Sequence, residues 1–200
     1  MTYSAGAVKF SFWFLEFKTT AQLLCSGKTM EEIKCLNEAN NIYNASSKAR
    51  AKLIYNTTAA RMKALDPSFA ELFCHSDLST QKLIALTAIL KHDRLFFEFF
   101  NEVIREQMIM GTKEFTDIDV RAFFRRKQSE NEKVAIWTTE TLERLGRSYK
   151  TYLTGAGLLE SSNAKEKSRK IYPPILEMPF TEWLETHELG YMINILSGVR

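Results

Sequence analysis

Residues 93–110 constrain the fold more than any other stretch of this chain. Asp93 stands where a carboxylate caps free backbone amides, and behind it Leu95, Phe96, Phe97, Phe99, Phe100, Val103, Ile104, Met108 and Ile109 recur at helical spacing around most of a circumference. A helix that is apolar on nearly every side has to be surrounded, so this one is the expected centre of a core to which other segments each contribute one face. A row of phenylalanines can also stack on nucleotide bases, but a continuous apolar helical surface is explained by packing, and the stretch is assigned no chemistry.

The segments around it also read as helices. Fourteen Phe against eight Gly and four Pro leave few breaks, and strict alternation of apolar and polar residues is scarce before residue 158. Tyr3-Ser4-Ala5-Gly6 leads into a helix bearing Phe10, Phe12, Trp13, Phe14, Phe17, Leu23 and Leu24, which Gly27 ends. Thr29 and Glu32 form a capping box for a short helix from Met30 to about Asn37. A turn over Asn40–Asn44 follows, and Ser46 or Ser47 caps a long helix to about Leu65. Asp66-Pro67 starts the next helix, and Ser79 caps another that runs to His92. The fold class is therefore all-α, a multi-helix bundle with helix-turn-helix elements. Its expected organisation is an N-terminal helical region over 1–65, a central apolar bundle over 66–115, and a C-terminal unit with a closing helix over 116–200.

That C-terminal unit has the layout of a winged helix-turn-helix. Thr116 to Lys127 forms a first helix with Val120, Phe123 and Phe124 inward, and the connector Gln128–Trp137 has room for a short helix of its own. A second helix starts at Thr138. Its apolar face carries Leu142, Leu145, Tyr149, Leu153 and Ala156, while Arg144, Arg147 and Thr151, joined by Lys150, are left to face outward. After Gly155 and Gly157, the polar stretch Leu158–Pro174 suits a two-stranded wing carrying Lys165, Lys167, Arg169 and Lys170. Between Thr141 and Ile175, seven Lys and Arg face three Glu, a local net of +4 on a chain whose total is +3.

A second basic stretch lies earlier. Asn41 to Leu65 holds Lys48, Arg50, Lys52, Arg61 and Lys63 and no acidic residue. Lys48, Arg50 and Lys52 fall at the start of the second helix of a helix-turn-helix shape, where free amides and side chains point outward together toward phosphates. Arg61 is close in angle to Ile54 and Leu65 and reads as a structural arginine at a buried edge. Both basic stretches have a plainer explanation as solvated helix flanks and a loose loop.

Catalytic patterns are thin. Cys25, Cys35 and Cys74 are odd in number and lack CxxC spacing, and His75, His92 and His187 are isolated. Cys74 and His75 are adjacent on a helix and cannot both face one metal, while Asp117 and Asp119 follow Thr116 where capping explains them. The chain is expected to be no enzyme and to need no metal or nucleotide cofactor. The apolar run Phe10–Phe17 is broken by Ser11 and Glu16 and is far short of the roughly 20 residues of a spanning helix. A cytoplasmic protein without a membrane partner is expected.

Several of these residues carry a family resemblance. Tyr3-Ser4-Ala5-Gly6, the helix over Phe12–Glu16, Met30-Glu31-Glu32-Ile33, Ser46–Arg50, Trp137–Leu159 and Ile171–Pro174 resemble the BrxA family of BREX phage-exclusion systems along nearly the whole chain. The resemblance implies a small, non-enzymatic component of a bacterial defence locus. It also implies a fold similar to the NusB antitermination factor, helix-turn-helix elements and affinity for double-stranded DNA, acting beside a methyltransferase and ATPase components of the same system. The long connector Gln128–Trp137 and the modest net charge depart from that picture. The alternative is a NusB-like scaffold that binds RNA or assembles other defence proteins. The far-ultraviolet circular dichroism spectrum is expected to be helical with a minor strand contribution, and a strand-dominated spectrum contradicts the fold class.

Overall fold

The computed structural model describes residues 2–112, 114–161 and 168–199. The chain forms two units, Trp13–His92 and the combination of Met1–Phe12 with Asp93–Arg200.

The unit Trp13–His92 holds α1 (Phe14–Cys25), α2 (Met30–Asn40), α3 (Lys48–Met62), α4 (Phe69–His75) and α5 (Leu78–His92). Phe17 of α1 packs between Phe69 and Phe73 of α4, at ring-centroid distances of 5.8 and 5.6 Å. Ile33, Ile54, Ile84 and Leu86 close the same core. The expected capping box is present, with the Glu32 amide donating to Thr29 and the Thr29 amide donating to the Glu32 carboxylate. Helix α2 runs on to Asn40 because the stop lies one residue later: Asn41 takes a left-handed backbone (φ 46°), and its side chain bonds both the amide and the carbonyl of Ala45. Ser47, of the two candidate serines, caps α3 by accepting from the Arg50 amide.

Three helix starts differ from the sequence-based expectation. Phe10, Phe12 and Trp13 precede α1 instead of lying within it, since the chain makes a 3-10 turn over Gly6–Lys9 and enters the helix only at Phe14. The break falls at Trp13, whose φ of +50° no helix accommodates. Its ring lies beneath the guanidinium groups of Arg50 and Arg61, at 4.9 and 5.8 Å, and these contacts hold the unusual backbone in place. Helix α4 begins at Phe69, two residues after Pro67, because Asp66 first closes a tight turn on Ser68. The cap of α5 is Asp77, which accepts from the Thr80 amide at 2.7 Å, while Ser79 donates its hydroxyl to that carboxylate.

In the second unit, α6 (Arg94–Phe99), a widened π-helical segment (Phe100–Arg105) and α7 (Glu106–Met110) form one continuous helix. Around it lie β1 (Glu114–Thr116), α8 (Asp117–Glu130), α9 (Glu132–Ala135), α10 (Thr139–Gly155), β2 (Ser168–Lys170), α11 (Met178–Thr186) and α12 (Tyr191–Ser197). Leu95, Phe96, Phe99 and Phe100 have no exposed surface, as an all-round apolar helix demands. Phe99 meets Phe123 of α8 edge-to-face and packs at a tilt against Tyr149 of α10, each at 5.2 Å, and Phe96 meets Tyr149 at 4.9 Å and Tyr152 at 5.2 Å. The connector does carry a short helix, α9, capped by Asn131.

The sheet differs from the expected hairpin. Strand β2 pairs antiparallel with β1, Phe115 opposite Arg169, and β1 lies before α8, outside the 158–175 segment. On the other edge of β2, Leu159 bridges Ile171, and the Glu160 and Tyr172 amides bond the Lys170 and Leu158 carbonyls. Glu-Phe-Thr is too short to show a period of two, and Thr116 doubles as the cap of α8, which hid the strand.

One polar cluster is built into this core. The Lys127 side chain is 7% exposed, and its ammonium sits 2.7 Å from Glu98 and 2.8 Å from Glu102. Tyr3 donates its hydroxyl to Glu98 at 2.7 Å, and Arg94 both pairs with Glu98 and covers the Tyr3 ring. Burial disfavours the Lys127 charge most strongly of any single effect, but hydrogen bonds to Glu102 and Glu98 and the negative charges of both together outweigh it and hold the group above the ordinary lysine range. Burial also raises Glu98, and bonds from Lys127, Tyr3 and Arg94 reverse the sign and leave it lowered. A lowered carboxyl contributes stability above its unfolded value, about 4.3, and loses it as pH falls through the folded value. Lys127→Met is expected to cost roughly 3 kcal/mol by removing the buried cation that Glu98 and Glu102 share, which leaves them the partly exposed cations Arg94 and Arg126. Urea unfolding should also show a weaker loss of stability on acidification in the variant than in the parent.

Candidate nucleic-acid interface

Helix α10 brings most of the candidate residues together. Its start is capped by Thr138, which accepts from the Thr141 amide, with Glu140 in the first turn. Leu145, Tyr149, Tyr152 and Leu153 are buried on one side, so Arg144, Arg147 and Thr151 are turned outward and exposed, as their spacing predicts. Arg144 lies 3.9 Å from Glu140, a loose and exposed pairing of little strength. Thr151 donates its hydroxyl to the Arg147 carbonyl, which fixes its rotamer.

Lys150 is placed differently. Its ammonium pairs with Asp117 at 2.7 Å and its side chain is only 15% exposed, so it bridges α10 to the start of α8. The Lys150 hydrogen bond, helped by the positive charges of Arg169 and Arg121, keeps the Asp117 carboxyl below the usual aspartate range. Asp117 thus lies within reach of three cations, Arg121, Lys150 and Arg169. The neighbouring Asp119 completes a capping box with Thr116. The DxD pair is accounted for by these contacts.

Arg169 is half-buried in β2, and Lys170 is exposed, with its amide bonded to the Glu160 carboxylate. Lys165 and Lys167 lie outside the described residues. Lys48 and Lys52 are exposed on α3 and line a hollow of about 540 Å³ with Asn37 and Glu38. Arg50 lies over the Trp13 ring, and Arg61, 3% exposed, is the structural arginine its angle suggested.

Two features have no motif in the sequence to announce them. Arg121 and Arg125 are exposed on α8 and share with Arg147 and Lys150 a groove of about 430 Å³ that runs between α8 and α10, with Asp117 and Glu143 on its walls. Their i,i+4 spacing beside Val120 and Phe124 was the available signal. Gly146 and Val120 both line the groove, and there α10 packs directly on α8: an added Cβ at Gly146 would fall 2.7 Å from Val120 Cγ1. Beside it, Lys9 lines a hollow of about 310 Å³ together with Arg144, Arg147 and Thr151.

No group of three His, Cys, Asp or Glu among the described residues is placed to hold a metal. No helix there is long and apolar enough to cross a membrane.

The architecture defines a mostly helical protein with one small antiparallel sheet and a basic outer face on its longest C-terminal helix. The chain belongs to the BrxA family, whose model matches residues 1–188. It is 36% identical to a BREX protein BrxA from Bacillus cereus (strain H3081.97) over 185 residues, 92% of this chain and 91% of that one. Its fold is similar to that of an uncharacterized protein from Magnetospirillum magneticum in a crystal structure, with a TM-score of 0.79 over 98% of both chains at 17% identity. Gly146→Ala is expected to force α8 and α10 apart and destabilise the protein by about 1–3 kcal/mol, measured by thermal or urea unfolding.

Proposed function

We propose that this chain is a non-enzymatic component of a BREX phage-defence system that binds double-stranded DNA, acting in the cytoplasm beside methyltransferase and ATPase components. One observation carries the reading: Arg144, Arg147 and Thr151 are exposed on one side of a helix whose other side is locked into an aromatic core. A helix anchored in this way can enter a major groove without losing its orientation. The order α8, short α9, α10, then paired backbone with β1 on the outer edge supports a winged helix-turn-helix, with α10 in the recognition position. Arg169 and Lys170 on β2, with Lys165 and Lys167 on the connecting segment, suit contacts to phosphates, which position a duplex without reading it. Lys48, Arg50 and Lys52 make a second proposed contact set on α3, and Lys150, although its charge is paired with Asp117, completes the proposed set on α10.

Mobility-shift titrations with duplex, single-stranded DNA and RNA test the proposal. Replacing Arg144 and Arg147 with alanine should cost roughly 1–3 kcal/mol for each base edge no longer read, more on a preferred sequence than on random duplex. Replacing Lys165, Lys167, Arg169 and Lys170 should weaken all duplexes alike and flatten the salt slope by about 0.9 for each phosphate no longer neutralised. A Lys48, Arg50 and Lys52 triple variant asks whether α3 touches the same duplex. Unchanged affinity and salt dependence in all three sets would leave the protein a scaffold for other defence components.

A further inference from the structure

The hollow beside α10 is unusual in its chemistry. Lys9, Arg144 and Arg147 supply three cations, Ser11, Ser148 and Thr151 supply three hydroxyls, and no carboxylate lines it. Its volume of about 310 Å³ accommodates a phosphate group and part of the sugar that carries it. Thr151 already uses its proton on the Arg147 carbonyl, whereas the Ser148 hydroxyl has no hydrogen bond of its own among the described residues. Glu140, 3.9 Å from Arg144, lies outside the hollow and is exposed.

The wall formed by residues 8–11 is fixed to α10. Tyr152 donates its hydroxyl to the Phe10 carbonyl at 3.3 Å, and Phe12 lies so close to Gly155 that an added Cβ would stand 2.6 Å from its ring. Farther back, the Tyr3 bond to Glu98 ties down the start of the same segment. Lys9 is therefore carried on an anchored strap, and it is exposed where the strap meets the outer face of α10. A hollow lined by one lysine, two arginines and a hydroxyl donor offers the chemistry that holds a phosphate oxyanion.

We propose that Lys9, Ser148, Arg144 and Arg147 form a seat for one phosphate group. On the reading of α10 as a DNA-contacting helix, on which the choice of ligand rests, that group is a backbone phosphodiester of the duplex. The N-terminal strap then acts as a phosphate clamp next to the base-reading residues, so Arg144 and Arg147 are shared between the two tasks. A phosphate on a free small ligand has the same chemistry and is the other source.

The experiment compares the full chain with Lys9→Gln and Lys9→Arg in duplex binding over a range of salt concentrations. It adds a titration of the isotope-labelled full chain with inorganic phosphate at constant ionic strength, read from backbone amide resonances. If the parent binds duplex, Lys9→Gln should lower the salt slope by about 0.9 and weaken binding roughly eightfold near 0.1 M salt, the effect of one released counterion, and Lys9→Arg should restore both. Duplex binding by the parent with an unchanged slope in Lys9→Gln overturns the seat and leaves the DNA reading standing. If the parent does not bind duplex, saturable shifts at Lys9, Ser148 and Thr151 that disappear in Lys9→Gln support the seat and assign it to a small phosphate ligand. Absence of both duplex binding and phosphate shifts overturns the seat and the DNA reading together.

Discussion

The buried ammonium of Lys127 is the interaction on which the larger unit depends. It draws together Glu98 on α6, Glu102 on the π-helical segment and Glu130 at the end of its own helix, and through Glu98 it reaches Tyr3 and Arg94. An ion removed from water at this depth is tolerated only when its partners are complete, so the cluster specifies one arrangement of the segments that supply it. Apolar packing supplies the bulk of the stabilisation but tolerates sliding of one helix over another. A fixed set of donors and acceptors does not. The orientation of α8, and through it the wall of the basic groove, follows from this network.

The aromatic core and the polar cluster work on the same helix from different sides. Phe96 and Phe99 hold Tyr149 and thereby the inner face of α10, while Glu98 holds the N-terminal segment through Tyr3. The outward direction of Arg144 and Arg147 is thus a consequence of burial one turn away, and the strap that carries Lys9 is placed by the partner of that same central helix. Gly146 and Gly155 let α10 approach its neighbours closely at two points along its length.

Much of the helical architecture was legible because its signals are local. Capping residues Thr29, Ser47, Asp93, Thr116 and Thr138 sit at the helix starts, and the all-round apolar pattern of residues 95–109 located the core. The features that stayed hidden are non-local or too short. Strand β1 is three residues long and is defined by a partner more than fifty positions away. Trp13 breaks the first helix through a backbone angle that its apolar character does not announce. On α10 the outer face could be read from periodicity, but the pairing of Lys150 with Asp117 depends on how two helices approach. Arg121, Arg125 and Lys9 were visible only as surface charges, because nothing in a linear sequence tells that three separate segments line adjoining hollows.

The left-handed Trp13 has a spectroscopic consequence. It is the one tryptophan of the unit Trp13–His92, and two guanidinium groups lie over its ring, whereas Trp137 and Trp183 belong to the other unit. Indole emission responds to nearby charge and to solvent, so Trp13 is a native optical reporter confined to one half of the molecule. With Trp137 and Trp183 replaced by phenylalanine, fluorescence follows the folding of that half alone, and far-ultraviolet dichroism follows both. Any difference between the two curves then measures how far the units unfold as one, without an added label.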